Sequence, residues 1–485
     1  MSGYKHGVFI QEQPTALLPP RRISAGLPVV VGTAPVHALD ENKEQPINQP
    51  KLIYSYQEFV NTFGYSSDFA SYTLCEFARV FMGLYGVAPA VFVNVLDPTT
   101  HKDSAAAEEV TFGSDDLAGL AHGDVLSGQT VTNSDATITY VEDTDYTINR
   151  VTGVITRVAA GSIAAEATVK VTYDYVDPSK VANTDIIGGI DGSTGAKTGL
   201  ELVSEVFPRF RLVPGQIAAP GWSQDPEVGV VMGAKAENIN GSFKAVAVVD
   251  VPITGTGVPK FYSEVPEWTD TNNYTDRQMA VCWPKLTLGG EEHWFSSHLA
   301  GLMCSVDAEQ GDVPYKSPSN ERLEIDGVKP VDGEEVWLGP EEASYLNGQG
   351  IITALNFSGG WKCWGNRTGA YPGSTDVKDT FVPIRRMFNW VGNTLVLTWW
   401  QRLDYPITRR NIETIVDSVN VWLNGLTARE YILGGRVEFR EDENPITDVM
   451  DGIIKLHVYL TPPSPAREID FILEYDPAYI QSLFD

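Results

Sequence analysis

A glycine-rich segment at residues 188–199, GGIDGSTGAKTG, has the composition of a loop that binds phosphate through its backbone amides. A P-loop places its lysine directly after the last glycine, so that the amine reaches the phosphates. Here Ala196 stands between Gly195 and Lys197, and the GxGxxG spacing of dinucleotide-binding domains is also missing. The spacing therefore favours a structural turn that leads into a helix and predicts no bound cofactor.

A second pair of candidate ligands lies in EEHWFSSH, where His293 and His298 could bind zinc. The HExxH zinc motif requires two histidines four residues apart on one helix face, with a glutamate directly after the first. These histidines are five residues apart and Glu292 precedes the first, so the pattern predicts no metal site. The chain also lacks a GxSxG nucleophile elbow, and we predict no catalytic residues.

The composition is that of a globular protein with sizeable cores: 485 residues, of which 43% are hydrophobic and 20% charged. The 35 Lys and Arg against 63 Asp and Glu give a formal net charge of −28. Because nucleic acids and anionic membrane faces attract clustered cations, this charge disfavours direct contact with nucleic acid. The sequence has no apolar run of the ~18 residues that a membrane helix needs, which predicts no membrane insertion. The four scattered cysteines fit a reducing compartment, so we expect folding in a cytoplasm.

The order of hydrophobic patterns predicts a multidomain α/β (α+β) protein. Buried strand patterns such as VVVGTAP and APAVFVNVL alternate with helical stretches over residues 23–97, and this alternation resumes over residues 186–365. Residues 98–185 are rich in small and polar residues with short strand patterns, which predicts an all-β insertion in one central α/β domain. Residues 366–461 are expected to form a C-terminal α/β domain.

The predicted C-terminal domain has one strongly amphipathic helix, in RRNIETIVDSVNVWLNGL. Its apolar face consists of Ile412, Ile415, Val416, Val419, Trp422 and Leu423. Asn424 and Gly425 are suited to end the helix. A later strand is predicted from alternating apolar residues, namely Ile454, Leu456, Val458 and Leu460.

Both termini carry a short apolar segment on a proline-rich tether. Residues 1–22 contain HGVFI followed by QEQPTALLPP, and residues 462–485 begin with PPSPA. From Ile469 onward, apolar residues occupy alternate positions with the period of a half-buried strand: Ile469, Phe471, Leu473 and Tyr475. At about 3.1 Å per extended residue, the eight residues before this strand span roughly 25 Å. We therefore predict that the terminal strands are exchanged and complete a sheet of a neighbouring subunit.

These features resemble one known family. The segments GNRTGAYPGSTDVKDTFVPIRRMFNWVGNTLVLTWWQRLDY and ENPITDVMDGIIKLHVYLTPPSPAREIDFILEYD, with the opening YKHGVFIQE, are similar to the tail sheath proteins of contractile-tailed bacteriophages and related phage-tail-like particles. The resemblance covers nearly the whole chain. It implies a structural subunit, not an enzyme, that polymerises as stacked six-membered rings around a tail tube. It also implies contraction from a metastable extended lattice, which drives the tube through the host envelope for genome delivery.

The resemblance further implies partners and interface residues. The partners are other copies of the chain, the tail tube protein, and baseplate and tail terminator proteins, in a virion tail assembled in the host cytoplasm. In this family, arms from neighbouring subunits complete the sheet of the C-terminal domain. Carried onto this sequence, the inter-subunit strand residues are Val8, Phe9 and Ile10 in one arm and Ile469, Phe471, Leu473 and Tyr475 in the other. The β-rich insertion would lie on the outer surface.

Two other functions remain open from the sequence. A cytoplasmic nucleotide-binding or hydrolytic enzyme on the central α/β domain would use the glycine-rich segment, and Lys197→Ala would then abolish nucleotide binding or turnover. A receptor or adhesin of a tail would use the β-rich insertion, but it gives no reason for tethered strands at both ends. The sheath hypothesis accounts for both arms.

Overall fold

The computed structural model describes residues 25–39, 43–329, 331 and 336–483. The predicted arm residues Val8, Phe9 and Ile10 lie outside these ranges. The strands in the described ranges are β1 (Pro28–Gly32), β2 (Lys51–Ile53), β3 (Ala90–Asn94), β4 (Lys102–Thr111), β5 (Leu117–Gly119), β6 (Thr130–Asn133), β7 (Thr139–Tyr140), β8 (Tyr146–Asn149), β9 (Val154–Arg157), β10 (Thr168–Val176), β11 (Gln216–Ala218), β12 (Val246–Asp250), β13 (Met279–Cys282), β14 (Leu286–Leu288), β15 (Glu291–His293), β16 (Gly327–Val328), β17 (Ile351–Asn356), β18 (Trp361–Trp364), β19 (Gly434–Glu438) and β20 (His457–Thr461).

The α-helices in the same ranges are α1 (Tyr56–Phe63), α2 (Thr73–Ala78), α3 (Asn183–Ile187), α4 (Val206–Phe210), α5 (Pro226–Glu237), α6 (Val265–Thr271), α7 (Phe295–Glu309), α8 (Pro340–Asn347), α9 (Val377–Thr380), α10 (Val382–Trp399), α11 (Arg409–Thr427) and α12 (Ile446–Met450). Shorter 3-10 segments join several of them. None of the described helices is both long and apolar enough to cross a membrane.

An eight-stranded sheet forms the centre of the molecule, in the order β18-β17-β13-β12-β11-β1-β3-β2. The six inner strands are parallel, and the two edge strands β18 and β2 are antiparallel to their neighbours. The inner strands β1, β3, β12 and β13 are buried along their whole length because helices such as α5 and α7 pack on the sheet. Such continuous apolar runs are typical of parallel strands covered on both faces.

Helix α2 shows how the sheet positions its neighbours. The Leu74 N–H donates to the Thr33 carbonyl just after β1, at 3.0 Å, and Thr33 Oγ1 accepts from the Thr73 N–H at 3.2 Å. These bonds satisfy amide groups that have no partner inside the first turn of a helix. After α2 the backbone continues as a π-helical segment, Arg79–Leu84.

Residues 102–176 contain two further antiparallel sheets, ordered β4-β10-β6-β7 and β5-β9-β8. They enclose an apolar core separate from that of the central sheet, which includes Val131, Tyr146, Ile155, Val169 and Tyr173. A side-chain contact ties this part to the central sheet, since the Tyr72 hydroxyl donates to Asp124 Oδ2 at 2.6 Å. The chain is therefore a mixed α/β multidomain protein with several sheets.

Toward the C-terminus, α10 and α11 are followed by a two-stranded sheet of β19 and β20, with α11 packed on β19. Their antiparallel register pairs Gly434 with Thr461 and Glu438 with His457. The prediction that α11 ends near Asn424 and Gly425 is wrong, because the Asn424 carbonyl accepts from the Ala428 N–H at 2.9 Å and continues the helical ladder.

The predicted alternation from Ile454 extends too far toward the N-terminus, since β20 begins at His457. The Asn444 amide explains this start. Its Oδ1 accepts from the Lys455 N–H at 2.7 Å, and its Nδ2 donates to the Lys455 carbonyl at 2.9 Å. Both backbone groups of Lys455 are thus occupied by a side chain and do not join a strand ladder.

Candidate functional site

The glycine-rich segment at residues 188–199 forms a hydrogen-bonded turn. Asp191 Oδ1 accepts from the Ser193 hydroxyl at 2.7 Å and from the Thr194 and Ser193 N–H groups at 2.7 and 2.9 Å, and these bonds, the hydroxyl bond first, lower the pKa of Asp191. Lys197 Nζ donates to Ser204 Oγ at 2.6 Å, in the next helical segment. The lysine that a phosphate site would need therefore holds the turn against its own following segment.

The two candidate zinc ligands are buried in the core. The rings of His293 and His298 are 5.3 Å apart, and the Tyr85 hydroxyl lies 3.2 Å from His298 Nδ1. Burial lowers the pKa of His293 to about 4 and that of His298 well below its usual value, so both rings are neutral at pH 7. No group of three His, Cys, Asp or Glu side chains within the described ranges is placed to hold a metal ion.

Two buried carboxyl groups near these histidines have no local sequence signal. Glu76 Oε1 accepts from the Trp294 N–H at 2.7 Å and from Ser297 Oγ at 2.9 Å, and Asp250 Oδ1 accepts from the Ser296 N–H at 2.9 Å. Burial raises the pKa of Glu76 to about 8 and that of Asp250 to about 6. Both side chains hold the start of α7 against α2 and β12 and are closed off from solvent.

The C-terminal arm, residues 462–485, which the structure describes as far as residue 483, has the opposite character. Pro462 is buried, and the chain then runs without helix or strand as far as Asp476. The four predicted strand residues are between 70% and 94% exposed: Ile469, Phe471, Leu473 and Tyr475. The arm ends in a 3-10 helix, Pro477–Leu483. The structure thus places these apolar side chains together on one extended segment, in contact with solvent.

The first part of the arm lies along two segments near residues 315–321 and 364–371. Residues 463–468 line one side of a cavity of about 680 Å³, and the other side includes Tyr315, Asn347, Trp364, Arg367 and Tyr371. The Arg367 guanidinium stacks on the Phe381 ring at 3.7 Å and on the Tyr371 ring at 4.1 Å. Burial and the nearby Arg467 guanidinium lower the pKa of Arg367. The tether therefore rests over an open space and has room to move.

The two outer edges of the β19–β20 sheet differ. On the β19 side, the Asn420 amide of α11 binds the backbone of Val437: Oδ1 accepts from its N–H at 2.8 Å, and Nδ2 donates to its carbonyl at 3.2 Å. This side chain occupies the centre of the β19 edge. The outer edge of β20 has no strand beside it within the part of the chain that the structure describes. An unpaired edge of this kind can pair with another chain.

The apolar face of α11 is covered only along its second half. Val419, Leu423 and Leu426 are buried, whereas Ile412, Ile415 and Val416 near the start of the helix are only half-buried. Apolar side chains on neighbouring segments are also exposed, namely Leu433, Ile446 and Met450. The predicted helical face is present, but this chain alone does not bury all of it.

Helix α10 fastens this incompletely covered unit to the central sheet. Arg386 forms a buried, two-pronged ion pair with Asp307 of α7, and Arg385 Nη1 lies 3.0 Å from Asp379 Oδ1. Asn389 Nδ2 donates to Gln278 Oε1 at 2.8 Å, directly before β13. Because these groups are buried and mutually hydrogen-bonded, α10 holds a fixed position on the central domain.

Comparison with known proteins finds relatives along the full length. The chain is 29% identical over 492 residues to the tail sheath protein of Burkholderia phage BcepMu, and the match covers 99% of both chains. It is 26% identical over 328 residues to a putative prophage major tail sheath protein of Pseudomonas aeruginosa, covering 65% of this chain and 79% of that protein. Residues 90–184 also match the profile of a family described as a protein of unknown function.

Two solved structures share the fold over nearly the whole chain. The contracted helical sheath of the anti-feeding prophage superimposes with a TM-score of 0.57 at 15% identity, covering 98% of this chain and 100% of that one. The sheath complex of the extracellular contractile injection system PVC, also in its contracted state, gives 0.57 at 15% identity and covers 99% of both chains.

Proposed function

The chain belongs to the tail sheath proteins of phage tails and phage-like contractile injection systems, and we propose that it polymerises as stacked six-membered rings around a tail tube. Proteins of this family are structural and not enzymes. The rings contract from a metastable extended lattice to a wider and shorter one and drive the tube through the host envelope. Neighbouring subunits are linked by their donated terminal strands.

One observation carries the proposal: an exposed segment with alternating apolar residues follows a two-stranded sheet whose β20 edge has no strand beside it among the described residues. A fully buried aliphatic or aromatic side chain contributes about 1.5–3 kcal/mol, whereas ordering the backbone costs about 1–2 kcal/mol per residue. For the seven residues 469–475, the gain from burying four apolar side chains and the cost of ordering the backbone nearly cancel. The main-chain hydrogen bonds to the acceptor strand therefore decide whether the strand binds. A single junction is then weak and reversible, and a polymer with many junctions is stable.

We propose the following units for this function. They are an N-terminal arm at 1–22, a central α/β domain at 23–97 and 186–365, a β-rich outer insertion at 98–185, a C-terminal sheath domain at 366–461 and a C-terminal arm at 462–485. The C-terminal domain is completed by strands from neighbouring copies. Val8, Phe9 and Ile10 are the proposed strand residues of the first arm. The separate apolar core of the insertion supports its position as an appended outer unit.

The same structural features support contraction by movement of whole subunits. The buried ion pair between Arg386 and Asp307 keeps α10 fixed on the central domain, so the central domain and the C-terminal sheath domain move together. The tether around Pro462, Pro463 and Pro465 prefers an extended conformation and spans about 25 Å. A donated strand therefore stays paired with its acceptor while the bodies of the two subunits rotate. The remaining proposed partners are the tail tube protein and the baseplate and tail terminator proteins.

Electron microscopy of the purified full-length chain tests this function. We expect tubular polymers or helical rings, and a single monomeric species under every condition would contradict the proposal. Phe471→Asp in the arm should abolish the polymers. Phe357→Asp, on the similarly exposed turn between β17 and β18, serves as the matched control and should leave them intact. Loss of polymers in the control alone would place the contact away from the arm.

A further inference from the structure

We propose that the last helical turn of the chain, Pro477–Leu483, docks into an apolar pocket on the neighbouring copy that accepts its arm. The pocket has a volume of about 60 Å³ and is lined chiefly by Trp399, Tyr405, Ile407, Ile412, Ile415 and Ile454. This inference rests on the strand donation proposed above. To that proposal it adds the direction of the donated strand, the sheet edge that receives this strand and the site on the neighbouring copy where the end of the arm binds.

The pocket lies between the end of α10, the first half of α11 and the segment before β20. Its volume of about 60 Å³ is small, which suits the end of one branched aliphatic side chain. Most of the lining side chains are apolar, so the pocket offers apolar contact to an incoming segment.

The terminal turn has a shape that fits this pocket. A 3-10 helix has three residues per turn, so side chains three positions apart lie on the same face. Ile480 and Leu483 have this spacing, and they are 42% and 79% exposed. The turn thus presents a narrow aliphatic ridge that this chain leaves in contact with solvent.

The sheet edges select the strand that receives the arm, and the position of the pocket then selects the direction of the arm. A strand added on β19 would have to displace the Asn420 amide from Val437, so the open edge is that of β20. An arm that adds antiparallel to β20 ends beside His457, where β20 begins. Ile454, which lines the pocket, lies three residues before His457, within about 10 Å along an extended chain. Only Asp476 separates the last strand residue, Tyr475, from the terminal turn.

Charge also favours this occupant. The end of the arm carries Glu474 and Asp476 and no Lys or Arg from residue 469 onward. The Arg402 guanidinium lines the pocket and lies 5.0 Å from the centre of the Tyr405 ring, and Arg410 lies in the first turn of α11, where Arg409 is already paired with Glu413. In a chain with a net charge of −28, this local group of arginines complements the acidic end of a second copy.

Disulfide cross-linking in the assembled polymer tests the inference. The full-length chain carrying Ile480→Cys and Ile454→Cys is polymerised, oxidised mildly and run on a non-reducing gel. We expect a ladder of dimers and higher species. The control pairs Ile480→Cys with Leu433→Cys, at the other end of the same sheet, and should give none. The four native cysteines are largely buried, and each single variant measures their background.

Each result of the cross-linking experiment either supports or overturns the docking of the terminal turn. A ladder from the Leu433→Cys pair alone would reverse the direction of the strand, and no ladder from either pair in intact polymers would place the turn elsewhere, including on a different protein. Both results overturn the inference without affecting polymerisation itself. Failure of the unmodified chain to polymerise would instead overturn the proposed function and this inference with it. Independently, Ile480→Asp should raise the concentration needed for polymerisation at least about tenfold, and an unchanged value would contradict the pocket.

Discussion

The central sheet and the C-terminal arm use the same kinds of side chain in opposite ways. In the sheet, Phe92 is fully buried against the rings of Phe59, Phe63 and Phe77 at centroid distances of 4.8–6.1 Å. In the arm, Phe471 is 86% exposed. Both belong to strand-like apolar patterns. The difference teaches that one pattern is completed within the chain, whereas the other leaves its apolar surface exposed in the single subunit.

The largest expected change in stability is that of Phe92→Ala in the sheet, and the same substitution at Phe471 in the arm is its comparison. Phe92→Ala removes a fully buried ring and should lower the free energy of unfolding by about 3–5 kcal/mol, measured by urea denaturation. Phe471→Ala should change that free energy by less than about 0.5 kcal/mol and yet reduce polymer formation. A loss of stability in the isolated chain as large as that of Phe92→Ala would mean that Phe471 packs within its own subunit.

A pH dependence of intermediate size is expected from Glu76. Burial raises its pKa to about 8 in the folded chain, despite the opposing effect of Lys285 and of its hydrogen bonds, and the value in an unfolded chain is near 4.5. The folded state therefore binds more protons between these values, and its stability falls as pH rises toward 8. Between pH 6.5 and 8 the free energy of unfolding should decrease by up to about 2 kcal/mol.

Urea denaturation at several pH values measures this slope. Only the interval above pH 6.5 is used. Burial lowers the pKa of His293 to about 4, so the buried histidines change the pH dependence of stability mainly below pH 6.5. Asp250, whose pKa burial raises to about 6, also titrates mainly below it. Glu76→Gln should flatten the dependence, and an unchanged slope in this variant would assign it to another group.

A smaller effect is expected from the amide that occupies the edge of β19. Asn420→Ala removes two hydrogen bonds to Val437 and should cost about 1 kcal/mol of stability. Asn444→Ala is the matched control, because the Asn444 amide makes the same two bonds with Lys455. Only the Asn420 variant uncovers the β19 edge, so only it should form additional dimers in analytical ultracentrifugation. Equal association of both variants would argue against the role of Asn420 as an edge cover.

The smallest effect is expected for an exposed ion pair of the C-terminal domain. Arg409 Nε lies 2.7 Å from Glu413 Oε1, one turn along α11, and its side chain is almost wholly exposed. Exposed pairs of this kind add little to stability because water and salt screen them. Arg409→Ala should leave the urea midpoint unchanged within error. A clear decrease would show that this end of α11 is part of the folded core.

The sequence predicted the buried parallel strands well because their signal is local. Continuous apolar runs such as the valines of VVVGTAP at β1 indicate a strand covered on both faces. The apolar face of α11 was also predicted from its spacing alone. Its incomplete burial was not, because the burial of Ile412 and Ile415 depends on segments that approach from elsewhere in the fold.

Features made by distant contacts could not be predicted. Glu76 bonds to the backbone of Trp294, 218 residues away, and nothing near Glu76 in the sequence marks it. The start of β20 was missed because the Asn444 amide binds Lys455, and side-chain competition of this kind depends on the folded geometry. The arm is a different case, since its alternating residues predict a strand whose partner lies beyond the single chain.

The most direct test of the account is to delete residues 466–485 and compare the truncated chain with the full-length chain by electron microscopy and urea denaturation. We predict tubes from the full-length chain only, together with the same unfolding transition for both, because the side chains of residues 466–480 and of Leu483 are exposed in the single subunit. Tubes of normal length and number from the truncated chain would contradict the claim that the arm connects one copy to the next.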